Sequence, residues 1–220
     1  MIAIVISILI MAVPVILAIT LHEAAHGYVA LRFGDATAKE LGRVSLNPIV
    51  HVDPVGTLAL PFILFIFSKL SGTPMMLFGW AKPVPINAWR LRRPREDMRW
   101  VAAAGPASNL LMMLAWAVVL RLAVSADESS ASAVMAQMAQ VGMEINAVLM
   151  VFNLLPIPPL DGGRILVSVL PRELAEPLQR LEPYSMIIIM VLALSGSLLG
   201  QLIRPFTSAS LQLAYSLVGL

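Results

Sequence analysis

The chain has 220 residues, 59% of them hydrophobic and only 13% charged, with a mean hydropathy of +0.85 and a formal net charge of +2. Soluble domains carry about a quarter charged residues, so the composition excludes an ordinary soluble domain and indicates an integral membrane protein. There is no cysteine, which excludes disulfides and thiolate metal sites; any zinc must be held by histidine and carboxylate.

The length allows about four to six spans and no separate soluble domain of ordinary size. The reading is therefore one all-α polytopic membrane domain over 1–220, with a core over about 1–170 and C-terminal helices over about 184–220.

From Met1 to Leu21 no residue is charged, and the first helix reads on to about Phe33. As one helix it would be about 50 Å long, more than one ~30 Å hydrocarbon crossing, so a kink at Pro14 or a surface-lying first turn is expected. No basic residues precede the run, so it reads as a mature span and not a signal peptide. Gly34-Asp35 ends it, and Arg32, Lys39 and Arg43 mark that end as cytoplasmic.

Inside this helix stands His22-Glu23-Ala24-Ala25-His26. Positions four apart share a helical face, so both imidazoles can reach one metal. Glu23, one residue on, can reach water at the metal's open position. The spacing suits zinc with a third protein ligand still to be supplied. Ionisable residues at membrane depth are costly and point to function.

Residues 39–52 are too polar to span; Val44, Leu46 and Ile49 suggest short extended pieces, and an edge there could pair with an extended substrate backbone. His51 is the one other histidine, and a lone histidine is usually structural. Residues 54–80 are apolar but punctuated by Pro54, Gly56, Pro61, Gly72, Pro74 and Gly79, which suits a re-entrant hairpin or interfacial helix. Lys82 to Arg99 is basic; no nucleic-acid-binding pattern surrounds it, and beside a membrane it sets orientation and touches anionic lipid.

Trp100 to Leu120 is uncharged, a clear span, with Trp100 and Trp116 as interface anchors and small residues at Ala102 to Ser108 that admit a close helix neighbour. Residues 123–140 read as an external loop with a weak helix over 131–143. Ile145 to Leu160 is another span, ending in Asn153-Leu154-Leu155-Pro156-Ile157-Pro158-Pro159-Leu160-Asp161-Gly162-Gly163. The prolines and glycines place Asp161 on a non-helical segment suited to a ligand. A basic loop over 164–180, a span over 187–203, and a short span or interfacial helix over 205–220 complete the chain.

Counting residues brings the motifs to one depth. His22 to His26 and Asn109 each lie about 14 Å of helix from a cytoplasmic end, and Asp161 follows the broken end of a span facing the same side. Glu144, nine residues before Asn153, falls about 14 Å above the site near the outer interface.

HEAAH, AAGPASN and FNLLPIPPLDGG, in this order in apolar segments, resemble the site-2 protease family of intramembrane zinc metalloproteases. SLNPIVHVDPVGT and FGWAKPVPIN resemble its compact bacterial and archaeal members without a PDZ domain. The likeness covers roughly residues 15–170. It implies one zinc ion per chain held by His22, His26 and Asp161, with Glu23 as general base and Asn109 holding substrate or the oxyanion. It also implies transmembrane proteins or peptides as substrates, cut in regulated intramembrane proteolysis or in clearance of signal-peptide remnants. The expected setting is the cell membrane, with the lipid bilayer as partner and the site toward the cytoplasm. The alternative is a non-enzymatic membrane metal-binding or transport protein, which would not need Glu23 and would commonly show internal repeats; none is found.

Overall fold

The computed structural model describes residues 2–71, 81–127, 129–194 and 198–220. Among these the chain is helical, with no strand. The main helices are α1 (Ile2–Arg32), α4 (Pro94–Ser125) and α5 (Ser130–Asn153). These three are long and apolar enough to cross a membrane. Shorter ones are α2 (Thr37–Glu40), α3 (Leu60–Ser71), α6 (Asp161–Val169), α7 (Arg172–Arg180), α8 (Glu182–Leu194) and α9 (Leu198–Val218).

Helix α4 is the centre: α1, α5, α6 and α9 all pack on it. Ala30 lies with Val101 and Ala18 reaches Asn109, so α1 and α4 run antiparallel. Leu120 lies with Ala139, and Asn109 bonds Asn146, so α4 and α5 do too. Small residues let the backbones approach: Ala117, Ala139, Ala147 and Ala214 are fully buried. Gly142 makes room for the Trp116 ring, which a Cβ there would overlap. Trp116 is thus a packing residue between α4 and α5. The outward faces stay apolar, with Leu111 67% and Leu122 65% exposed, as suits a chain whose solvent is lipid.

Several sequence expectations change. Residues 39–52 hold no strands: Gly42 and Arg43 N–H groups turn back on Lys39 and Ala38, and Asn47 starts a 3-10 turn at Pro48–His51. The N–H groups of Glu40 to Arg43, Asn47, Ile49, Val50 and Val52 are spent locally, and the nearby stretch carries Pro83 and Pro85, which have none to give a ladder. Residues 54–71 form a π-helical turn, Pro54–Ala59, running into α3; residues 72–80, the rest of the expected hairpin, lie outside the described residues. The weak helix over 131–143 and the following span are one helix, α5, started by a Ser129–Ser132 capping box. The basic stretch 164–180 is not a loop but α6 and α7, parted at Pro171. The span over 187–203 falls on two helices, α8 and α9, and 205–220 belongs mostly to α9.

Candidate metal centre

The histidine-bearing turn of α1 faces α4. The ligand atoms His22 Nε2 and His26 Nε2 are 3.1 Å apart, and each is 3.3 Å from Asp161 Oδ2. All three residues are buried. Asp161 Oδ2 has no hydrogen-bond donor of its own. Three lone pairs thus converge, an arrangement that costs energy unless a cation accepts them. Bonds of about 2.0–2.1 Å to a tetrahedral zinc put its ligand atoms roughly 3.3 Å apart, so this donor set fits zinc.

The opposite edges of the rings explain why Nε2 is free. A backbone carbonyl can only accept, so His26 Nδ1–H donates to Val101 O at 2.7 Å. His22 Nδ1–H donates to Asn109 Oδ1 at 2.6 Å. Each bond fixes the tautomer and the ring plane. Pro106, inside α4, lacks the N–H that would bond Ala102 O, next to the Val101 carbonyl that holds His26.

Gly105 is required here. A Cβ at that position would overlap Nε2 of both histidines, so α4 passes directly against the ligand atoms. The small stretch Ala102 to Ser108 therefore serves the metal centre as well as helix approach. Asp161 arrives by a different device. Leu154 to Leu160 fold back beneath α5, and Gly162 and Gly163 sit where a Cβ would strike the Leu154 carbonyl and the Pro158 backbone. Asp161 is not on the loop as expected; it is the first residue of α6, after Leu160 as N-cap.

The structure brings His22, His26, Asp161 and Asn109 together, with Glu23 half-buried beside them. Asn109 has its amide oxygen on His22, and its nitrogen donates to Asn146 Oδ1 at 2.9 Å and toward Ala18 O at 3.4 Å. Asn146 in turn donates to Gly142 O at 2.8 Å. Asn146, like Asn109 a fully buried amide in an apolar helix, escaped the sequence reading. Glu144 is two residues from Asn146, about 3 Å of rise, so it lies near the depth of the site on an exposed face of α5, not 14 Å above it. The fold-back of 154–160 accounts for the difference, because it returns Asp161 past the end of α5. His51 stands outside the cluster, with Nε2 on Ser45 O at 2.9 Å.

Below the site, Asp35 is buried at the end of α1. Burial pushes its carboxyl up, but donors from Thr37 and the Asn87 N–H, with Arg90 nearby, outweigh this and hold it below the usual range. It remains a carboxylate at neutral pH.

The chain matches the model of peptidase family M50 over residues 120–196, the stretch holding Asp161. It is 38% identical over 185 residues to "Putative zinc metalloprotease YwhC" of Bacillus subtilis (strain 168), covering 83% of this chain and 78% of that protein. It is 31% identical over 184 residues to "Putative zinc metalloprotease Rip2" of Mycolicibacterium smegmatis, covering 83% of this chain and 66% of that one. Its namesake in Mycobacterium tuberculosis (strain H37Rv) is 30% identical over 185 residues, with 84% and 66% covered. No solved structure matches significantly. A buried His22–His26–Asp161 donor set in an apolar helical chain agrees with these relatives, and the chain belongs to the M50, or site-2 protease, family of zinc metalloproteases.

Proposed function

We propose that the protein is an intramembrane endopeptidase that hydrolyses peptide bonds in or near transmembrane segments of other membrane proteins. The observation that carries this is the placement of the donor set: three converging lone pairs buried between helices apolar enough to cross a membrane. His22, His26 and Asp161 hold the zinc, which when bound supplies Lewis acidity and a water nucleophile available at neutral pH. Glu23 takes the proton from the attacking water and returns it to the leaving amine. Asn109 keeps the His22 ring in place, which agrees with its amide oxygen lying on Nδ1.

The test is Glu23→Gln in a purified enzyme, with zinc content and cleavage of tagged transmembrane segments measured on one sample. Zinc stays bound and cleavage falls by about 10²–10⁴, the span of general acid–base catalysis. Retained cleavage removes Glu23 as the base.

The site faces the cytoplasm in this reading. Arg90 pairs with Glu40 at 2.8 Å and Arg95 reaches Val167 O at 3.4 Å, so the end of α1, the start of α4 and α6 share one side. That side gathers most of the Lys and Arg, as cytoplasmic faces do. His51 and Lys82, on either side of the segment 54–80, are joined by a hydrogen bond and so lie on one side, which supports a segment that does not cross. Single cysteines at Ser45, Asn87, Ser129 and Gln179 check this on a cysteine-free background. An impermeant thiol reagent outside intact cells labels only Ser129→Cys; outside labelling of Asn87→Cys in an active variant refutes the orientation.

A further inference from the structure

Glu23 is the one ionisable residue of HEAAH that does not join the ligand set, and something must aim it. Its carboxylate accepts a hydrogen bond from a distant main-chain donor: Val84 N–H lies 2.8 Å from Glu23 Oε2, across 61 residues of sequence. Val84 stands between Pro83 and Pro85 in the extended stretch Lys82-Pro83-Val84-Pro85-Ile86-Asn87. The two prolines carry no N–H, so Val84 is the sole donor of the three. Each proline fixes its own φ and keeps the residue before it extended, so the direction of that N–H is set from both sides.

The stretch is a strap across α1, fastened along its length. Lys82 N–H donates to His51 O at 2.9 Å. Arg43 Nη2 donates to Lys82 O at 2.8 Å and to Pro83 O at 3.4 Å. Asn87 N–H donates to Asp35 Oδ2 at 2.6 Å. Arg43 is buried, with its Nε unpartnered, so the fold bears the cost of desolvating a guanidinium to hold two strap carbonyls. Val84 itself is buried, and its side chain lies over Gly27, one turn beyond Glu23, where a Cβ would come within 3.2 Å of Val84 and 3.0 Å of Val44.

Resting on the reading of Glu23 as general base, we infer that the Val84 N–H is the positioning donor for the Glu23 carboxylate, and that Arg43 clamps the strap that carries it. With Oε2 held, Glu23 has Oε1 left for the proton, and its three side-chain torsions are fixed before substrate arrives. A base has to sit within about 2.6–3.2 Å of the atom whose proton it takes, so this restraint acts on the chemical step and not on substrate binding.

The full-length zinc enzyme in detergent tests this, with a dye-quenched peptide bearing an apolar segment of about 20 residues broken by Gly-Pro as substrate. Val84→Pro removes the one N–H; Val84→Thr keeps it at nearly the same volume; Arg43→Met removes the clamp but keeps an apolar stem. Val84→Pro retains its zinc and its KM and loses about 10–100-fold in kcat, the cost of a catalytic group displaced by an ångström or so. Val84→Thr stays within about threefold of the wild type, and Arg43→Met falls between the two. Amide exchange on ¹⁵N-valine protein gives a readout without turnover: in Glu23→Leu the Val84 amide exchanges at least ~10-fold faster than in the wild type, because its acceptor is gone.

Unchanged kcat in Val84→Pro, higher kcat in that variant, or equal Val84 exchange with and without Glu23 each overturns the inference. Loss of zinc from Val84→Pro makes the strap a scaffold for the ligands and overturns it too. Cleavage retained by Glu23→Gln is a different failure, that of Glu23 as base, and the exchange result then still decides whether Val84 holds the carboxylate.

Discussion

Helices α4 and α5 pack side by side, yet the two halves of their interface are made of different materials. Toward the N-terminus of α4 the contact is polar and exacting: Asn146 of α5 holds Asn109, which in turn bonds His22 of α1, one turn from where Gly105 passes the histidine rings. One turn further the contact becomes apolar, with Met113, Ala117 and Leu120 against Ala139 and Met143, closed by Ala214 of α9. In lipid there is little hydrophobic drive between helices, so close packing and interhelical hydrogen bonds must do the holding. The apolar half supplies the first. The polar half supplies the second, and spends it on orienting a metal ligand. One interface thus divides its labour, and the division can be tested by substitutions ranked by their effect on the site.

The largest effect is expected from Gly105→Ala. One methyl group there collides with both ligand nitrogens, and neither a ring fixed by its Nδ1 bond nor the backbone of α4 can yield cheaply. Zinc content by elemental analysis falls to near zero and cleavage with it, while helicity by circular dichroism stays. Full zinc occupancy in this variant would show the polar half to be looser than its geometry states.

Asn146→Leu comes next. Asn146 touches neither zinc nor His22; it holds Asn109 Nδ2, which aims Oδ1 at His22 Nδ1. Losing a partner that orients a metal ligand typically costs 10–100-fold in affinity, so chelator competition should find zinc bound about 10-fold more weakly. Asn109→Leu reaches the upper end of that range, and the double variant is no worse than Asn109→Leu alone, because both act through one chain of bonds. Additive losses would break the chain into two independent supports.

Much of the site was readable without coordinates because its signals are local. His22 and His26 share a face by helical spacing, and the prolines and glycines around Asp161 announce a break at membrane depth. The depth count brought Asn109 level with them correctly, because each lies within one continuous helix with a fixed rise per residue. It failed at Glu144, because Leu154 to Leu160 double back and carry Asp161 past the end of α5, so counting from that end no longer measures distance from the site. Asn146 and Val84 were missed for a related reason. An amide in an apolar helix and an N–H between two prolines gain their meaning only from a partner, 37 and 61 residues away respectively. The strands expected in residues 39–52 were misread because spaced apolar residues such as Val44, Leu46 and Ile49 are visible in a sequence, whereas the local turns on either side of them are not.

The smallest effect on the metal centre is expected from the apolar half. Met143 is completely buried, about one turn of α5 from Asn146 and packed among Met113, Ala117 and Ala139. Met143→Ala opens a cavity, and in water such a change costs about 2–5 kcal/mol. Part of that sum is transfer of the side chain from water. Here the alternative surroundings are lipid tails as apolar as methionine itself, so the cavity and lost dispersion contacts remain and the transfer part shrinks. The expected loss is about 1–3 kcal/mol, seen as a lower thermal midpoint in detergent. Zinc affinity per folded molecule should stay within about twofold of the wild type, because neither Nδ1 bond of the histidines involves the apolar half. A fall in zinc affinity as large as that of Asn146→Leu would mean that the two halves move as one body. The comparison would then describe composition only, not a division of roles.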